Sequence, residues 1–412
     1  MSAPVPTVRL ESVQETRDTS IVLRGNANGD TRAWRTSSAE ELATLLGFES
    51  ERPGAVGAAE LVPPPTPSPD LRERLHVLLR EMQSVRGTVL QPNVRLTYGR
   101  SDFSLRAKSG PERVRGGSVP HFQLDLVATV RLGETVFRWS RSLTGFSESA
   151  LLSQLAAERD PLADLRASAE GADAWPAPKG NLAVLWTPEA LAAFLEPLTA
   201  LIEADRFLAG GDALPLLAGR DEGPELAFSI VDEGAPPEAG GIDQEGNASG
   251  PTTLVDRDGV GALATTAALA AVLGRPATGH GRRPGGEGAS APVLWRPRLD
   301  GRERNATLAA TLGNGLVVRR CDVRVRAGLA TVHVIDARLL HGGIAGERIE
   351  PFRVRAPYRE LLASLRAFGD TRAIVGRRRR KHGHEWITEW QLPEAASLRF
   401  PVPGSVPPEH YW

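Results

Sequence analysis

The chain has 412 residues, 41% of them hydrophobic and 24% charged, which leaves room for two or three domains around a large core. Its formal net charge of −1 weighs against nucleic acid as the main partner, because phosphate binding needs a surplus of Lys and Arg. The single cysteine, Cys321, excludes an internal disulfide, fits a reducing compartment or simply a composition poor in Cys, and reads as a small buried apolar side chain.

In chain order, residues 20–24 (Ser-Ile-Val-Leu-Arg) form a strand candidate, residues 26–30 (Asn-Ala-Asn-Gly-Asp) carry hairpin-turn chemistry, and residues 32–35 are the returning strand. Residues 37–46 read as a capped helix, with Ser37 and Ser38 ahead of an acidic first turn. A proline-rich extended linker, residues 63–69, leads into an amphipathic helix over residues 70–85, whose Leu71, Leu75, Leu78, Leu79 and Met82 share one face. Strands are expected at 93–98, 103–107, 122–132 and 134–143, with Gly133 at the tip of the last hairpin, and helix at 151–159 and 161–169. Residues 175–180 have linker character and mark a boundary between domains at 1–175 and 180–412.

After the boundary comes an apolar strand, residues 181–186, and then Thr187-Pro188-Glu189, an N-cap followed by proline at the first helical position. Leu191, Phe194, Leu195, Leu198, Leu201 and Ile202 continue the apolar stripe of that helix, and Pro197 lies inside it, where it should kink it. Residues 235–288 are rich in Gly, Pro, Asp and Ser and read as more loop than core, with a short strand at 254–258 and a helix at 260–273. Strands return at 315–320, 323–326, 329–337 and 348–354, and residues 358–368 read as a short helix. Runs of strands with a few helices give an α+β fold class. The first ten residues lack a basic region followed by an apolar run, and no apolar stretch reaches the roughly 18 residues of a membrane span. A cytoplasmic protein without a membrane partner is expected.

Several segments, taken in order, resemble the TldD/PmbA family. Residues 181–190 (Asn-Leu-Ala-Val-Leu-Trp-Thr-Pro-Glu-Ala) resemble its central strand and helix, and residues 240–246 (Gly-Gly-Ile-Asp-Gln-Glu-Gly) its Gly-rich Asp-x-Glu-Gly loop. Residues 252–260, residues 274–282 with Thr278-Gly279-His280-Gly281-Arg282, and residues 313–318 are similar to the strand, Thr-Gly-x-x-Arg loop and Gly-Leu-x-Val strand that follow. The likeness runs over most of residues 180–406 and reaches back over 8–170, and it is carried by the order and spacing of the segments together. It implies an N-terminal α/β domain with a mixed sheet and helices, followed by a β-rich C-terminal domain.

In the catalytic branch of that family a His-Glu-x-x-x-His motif on the helix after the central strand holds zinc, with Glu as base for the metal-bound water. Here Leu195 and Ala200 stand where both ligands belong, and only Glu196 matches. The resemblance therefore implies a non-catalytic, TldE-like subunit with no cofactor of its own. Its partner would be a zinc-bearing, TldD-like subunit, and together they would admit unfolded peptides. Gly240, Gly241, Asp243, Glu245 and Gly246 are the loop expected to meet peptide or partner. The alternative is a stand-alone peptide-binding or regulatory protein.

Other clusters are weaker. His382 and His384 could chelate together from one strand face, but a third and fourth ligand are missing, and a solvated loop is the plainer reading. The basic run 377–381 (Arg-Arg-Arg-Arg-Lys) reads as a solvated loop or a patch facing an acidic partner. Asp243, Glu245, Asp256 and Asp258 are carboxylates of turns, and His76, His121, His333 and His341 stand alone. Trp386 and Trp390 share a strand face as core or interface aromatics. No Gly-x-x-x-x-Gly-Lys-Ser/Thr loop and no Gly-x-Ser-x-Gly elbow is present.

Overall fold

A computed structural model describes residues 7–13, 19–27, 30–36, 67–85, 89–106, 114–132, 135–157, 162, 165–166, 174–209, 225–256, 259–283, 290–301, 305–381 and 384–403. The expected helix at 37–46, the tip glycine Gly133, and most of the stretch 161–169 lie outside them.

The N-terminal half is built on strands β1 (Thr7–Val13), β2 (Thr19–Ala27), β3 (Asp30–Thr36), β4 (Val89–Arg106), β5 (Val114–Leu132) and β6 (Thr135–Gly145). They form one six-stranded sheet in the order β3-β2-β1-β4-β5-β6. Ala27 pairs with Asp30 across the expected Asn-Gly turn. The two strands expected at 93–98 and 103–107 are one strand, β4, because it pairs along its length with the similarly long β5. On β5 the even positions Phe122, Leu124, Leu126, Ala128 and Val130 are buried, the period-two signature of a sheet with one face in the core.

Helix α1 (Pro69–Ser84) covers that face. Ser68 caps it, Oγ accepting the Leu71 N–H at 3.2 Å, and Leu71, Leu78 and Met82 are wholly buried. Helix α2 (Glu148–Ala157) adds Leu151 and Leu155 to the same core.

The C-terminal half is a larger sheet. Its elements are β7 (Lys179–Trp186), α3 (Pro188–Leu201), α4 (Ala204–Leu208), β8 (Phe228–Asp232), β9 (Thr252–Asp256), β10 (Gly259–Val260), α5 (Ala267–Val272), β11 (Gly281–Arg282), β12 (Ala291–Pro292) and β13 (Pro297–Gly301). They continue through α6 (Leu308–Leu312), β14 (Gly315–Arg326), β15 (Leu329–His341), β16 (Ile344–Ile349), β17 (Phe352–Pro357), α7 (Tyr358–Ser364), β18 (Leu365–Lys381) and β19 (His384–Pro403). The eleven-stranded sheet runs β10-β9-β8-β13-β19-β7-β14-β15-β16, with β17 also on β15 and β18 on β19.

The α+β class is as expected. The mixed pairing is not where it was expected, however. The N-terminal sheet is antiparallel at each of its pairings, and the parallel pairs, β7 with β14 and β13 with β19, lie in the C-terminal sheet.

Helix α3 packs on β14 and β19, and the largest core lies between them. Trp186 sits there with Phe194 and Phe400 at centroid distances of 4.7 and 5.1 Å, its Nε1 donating to Ser397 Oγ at 3.0 Å. Trp390 is in the same core, while Trp386 is buried against Ala291 and Val293.

Three expectations need correction. The helix at 260–273 is only α5, because Val260 belongs to β10 and the Thr266 side chain caps the helix by accepting the Leu269 N–H. The helix at 358–368 stops at Ser364, and Leu365 opens β18, whose Phe368 packs against Phe228. The described part of residues 235–288 is only partly irregular and carries core: Ala239, Asp243 and His280 are fully buried. Among the described residues no helix is long and apolar enough to cross a membrane.

The two halves touch where β6 and α2 meet β18 and β19. Gln154 bridges them, Nε2 donating to Thr144 O at 2.8 Å and Oε1 accepting the Gly376 N–H at 3.1 Å. A Cβ on Gly376 would lie 1.6 Å from Thr144 O, so only glycine allows this approach. Trp175, in the segment before β7, hydrogen-bonds to the edge of the sheet at Arg348 and Glu350.

Candidate functional site

Thr187 follows β7 and caps α3, its Oγ1 accepting the Ala190 N–H at 3.4 Å, with Pro188 in the first turn. The helix continues through Pro197 to Leu201. Leu195 points into the core and is wholly buried, whereas Glu196 and Ala200 are half-buried. Glu196 Oε2 accepts a hydrogen bond from Arg377 Nη2 at 2.7 Å. That contact opens a longer series between α3, α4 and β18. Arg379 Nη1 donates to Thr199 Oγ1 at 3.3 Å and its Nη2 to Glu203 Oε1. Lys381 Nζ donates to Glu203 Oε2 at 2.9 Å, Asp205 Oδ1 at 2.9 Å and Pro292 O at 2.8 Å.

The basic run 377–381 is therefore not a loop. It is strand, so alternate side chains face opposite ways. Arg377, Arg379 and Lys381 meet the acids of α3 and α4, while Arg378 and Arg380 face outward and Arg378 pairs with Glu385. Lys381 and Glu203 are both nearly inaccessible.

The Gly-rich loop turns its carboxylates inward. Asp243 is fully buried; Oδ1 accepts the N–H of Glu245 at 2.9 Å and of Asn247 at 2.8 Å, and Oδ2 accepts the Gly281 N–H at 2.9 Å. Glu245 Oε2 accepts the Ala267 N–H at 2.7 Å, at the start of α5. Gly240 and Gly241, both with positive φ, form the exposed part of the loop, and Gly246 is half-buried. Asp256 is half-buried at the end of β9, and Asp258 lies outside the described residues.

Sequence reasoning missed a second buried cluster. Asp232 Oδ1 accepts the Gly234 N–H at 2.8 Å and the Arg296 N–H at 3.1 Å, and Oδ2 accepts the Trp295 N–H at 2.8 Å. His280 Nε2 lies 3.4 Å from Asp232 Oδ2, and its Nδ1 lies 2.9 Å from Thr278 Oγ1. Burial pushes the Asp232 carboxyl up, but the adjacent His280 ring, with the backbone donors, outweighs it and holds the group below the usual range.

The order hydroxyl, imidazole, carboxylate is that of a nucleophile with its base. Here it is closed to substrate: Asp232 and His280 are fully buried, and Thr278 Oγ1 also binds the Thr265 N–H and Leu263 O. Nearby, Arg282 lies over Trp295 at 4.3 Å and Trp386 at 5.3 Å, and donates to the carbonyls of Leu294 and Ile387. Burial lowers its guanidinium to about 9. The alternation Thr278, His280, Arg282 between two glycines was the available signal.

The family model of the PmbA/TldA metallopeptidase C-terminal domain matches residues 179–393, slightly more than half of the chain. The chain belongs to the PmbA/TldD family. Solved structures of the same fold include TldE from Thermococcus kodakarensis, at 13% identity and a TM-score of 0.67, covering 97% of this chain and 95% of that one. A protein described as a candidate modulator of a DNA gyrase, from Thermotoga maritima, follows at 15% identity and a TM-score of 0.63, covering 96% of this chain and 94% of that one. Another so described, from Bacteroides thetaiotaomicron, has 13% identity and a TM-score of 0.61, covering 97% and 93%. No curated protein matches the sequence.

In this PmbA/TldD-family chain the α3 positions do not fit a zinc ion. Leu195 and Ala200 offer no donor atom, and Glu196 is engaged by Arg377. Among the described residues no group of three or more His, Cys, Asp or Glu side chains is placed to hold a metal. His384 opens β19 opposite Lys381, while its side chain and the whole of His382 lie outside the described residues.

Proposed function

We propose that this chain is the non-catalytic, TldE-like subunit of a heterodimeric zinc metalloprotease that degrades or processes unfolded peptides in the cytoplasm. The observation that carries the reading is the state of the motif positions on α3. Two apolar side chains stand in place of zinc ligands, and the remaining glutamate is neutralised by an arginine 2.7 Å away. A carboxylate held in that way is unsuited to take a proton from a metal-bound water. The likeness to TldE over nearly the whole chain supports the same reading.

Zinc then belongs to a TldD-like partner, and this chain completes the enclosure around the peptide. The exposed Gly240 and Gly241 tip of the loop is the part of it accessible to peptide or partner. Co-expression with a zinc-motif family member from the same organism tests the proposal. The expected result is a stable complex, zinc only in the partner, and cleavage of an unfolded peptide that needs both chains. Stoichiometric zinc in the isolated chain, with cleavage abolished by His384→Ala, overturns it.

A further inference from the structure

The sheet formed by β14, β15 and β17 has one face on the main core, where Ala330, Val332, Val334, Phe352 and Val354 are buried. The alternate side chains face away from that core. Cross-strand register sets them in rows: Arg324 opposite Thr331 opposite Arg355, and Asp322 opposite His333 opposite Arg353. With neighbouring strands about 4.8 Å apart, Arg324 and Arg355 flank the smaller Thr331 at roughly 10 Å. Arg326 and Ile335 extend the face along β14 and β15, and both are exposed.

This face has a sign that the chain as a whole lacks. Across the sequence 49 Lys and Arg balance 50 Asp and Glu. On the face, Arg324, Arg326, Arg353 and Arg355 stand against the single carboxylate of Asp322, which reaches only Arg324, at 3.2 Å. Among the described residues Arg326, Arg353 and Arg355 have no ion-pair partner; that is also true of scattered exposed arginines such as Arg206 and Arg366, but here the register groups them on one face. The preference for Arg over Lys in this sequence explains the choice of cation but not the shortage of acids. His333, in the middle, is held below its usual value by burial and then by Arg353, as a positive surround requires.

We propose that this face docks an acidic surface of a partner protein, whose carboxylates are received by Arg324 and Arg355 on either side of Thr331. Guanidinium groups suit such a role because they bind carboxylates in a fork. Arginine is also among the residues enriched at protein interfaces. Nucleic acid fits less well: a duplex binder commonly neutralises about six or more phosphates, and the rest of this near-neutral surface would not help. The inference stands whether or not the partner is a protease subunit.

The test is a fluorescence-anisotropy titration of the full chain with a labelled oligoglutamate peptide, and with oligo(dT) as competitor. Arg324→Glu with Arg355→Glu should weaken peptide binding by about tenfold or more. Arg206→Glu with Arg366→Glu, an equal change of net charge at exposed positions elsewhere, should leave it unchanged. If the first pair lowers the melting temperature, Arg324→Gln with Arg355→Gln removes the charge more gently and should show the same loss. Absence of binding to the wild-type chain at low salt, equal loss in both pairs, no loss in the first, or tighter binding of oligo(dT) than of the peptide each overturns the proposal.

Discussion

Cys321 shows how far a single residue could be read in advance. A lone cysteine suggested a small apolar side chain, and the thiol lies buried on β14, its Sγ 3.4 Å from Ala190 O. Burial pushes it up to about 12, and nearby Arg377 offsets only part of that. Since the thiolate is the reactive form, a water-soluble thiol reagent near neutral pH should label the native chain at least about 100-fold more slowly than the urea-unfolded chain. Equal rates would mean that the site opens to solvent.

The carboxylates were harder to read. Asp243 and Asp232 are both visible in sequence as acids near glycines, but what fixes each is a ring of backbone N–H groups brought in from other segments. Gly281 reaches Asp243, and Trp295 and Arg296 reach Asp232. Backbone donors leave no mark on residue type, so no spacing rule reveals them. Gly279 is clearer in hindsight: its φ is +72° and a Cβ there would lie 2.2 Å from Ala248 O.

At the scale of elements, local chemistry was informative where one segment decides its own fate. The cap at Thr187 and the strand at 122–132 follow from sequence directly, whereas the cap at Ser68 was hidden in what read as linker. The basic run failed for a physical reason. Five cations in a row show no apolar alternation, so strand periodicity is invisible until the acids of α3 and α4 supply the missing half of the pattern. That pairing should matter to stability. Lys381 and Glu203 are each almost fully buried, and removing Lys381 leaves Glu203 with Arg379 in place of two cations. Lys381→Met is expected to cost on the order of 3 kcal/mol, while Lys381→Met combined with Glu203→Gln should recover about 1 kcal/mol or more of it. Urea unfolding of the two single variants and the double gives the coupling directly, and simple additivity would show that the pair does not act as a unit.

For the whole molecule, fold class and the helix-after-strand frame of the C-terminal half were legible, but strand order was not. The last strand, β19, enters the middle of the larger sheet between β13 and β7. Nothing local in residues 384–403 encodes that position, which depends on pairing with segments some 90 to 220 residues earlier.

The contact between the two halves depends on the same strand. Glu389 on β19 is nearly inaccessible and accepts the Phe146 N–H at 2.8 Å. Burial raises its carboxyl above the ordinary value, with Glu238 adding to the effect and the Phe146 N–H and Arg296 opposing it. The folded chain thus keeps this proton to higher pH than the unfolded chain does. The associated stability is complete below the ordinary glutamate range, near about pH 4, and is lost as pH rises through the folded value. Glu389→Gln keeps an acceptor for Phe146 without the buried charge. The variant should match the wild type near about pH 4 and exceed it near about pH 7, by on the order of 1 kcal/mol. Urea unfolding across that range would show the gap widen and then level off. A variant less stable than wild type near neutral pH would mean instead that the ionised carboxylate, through Arg296 and Phe146, helps hold the two halves together.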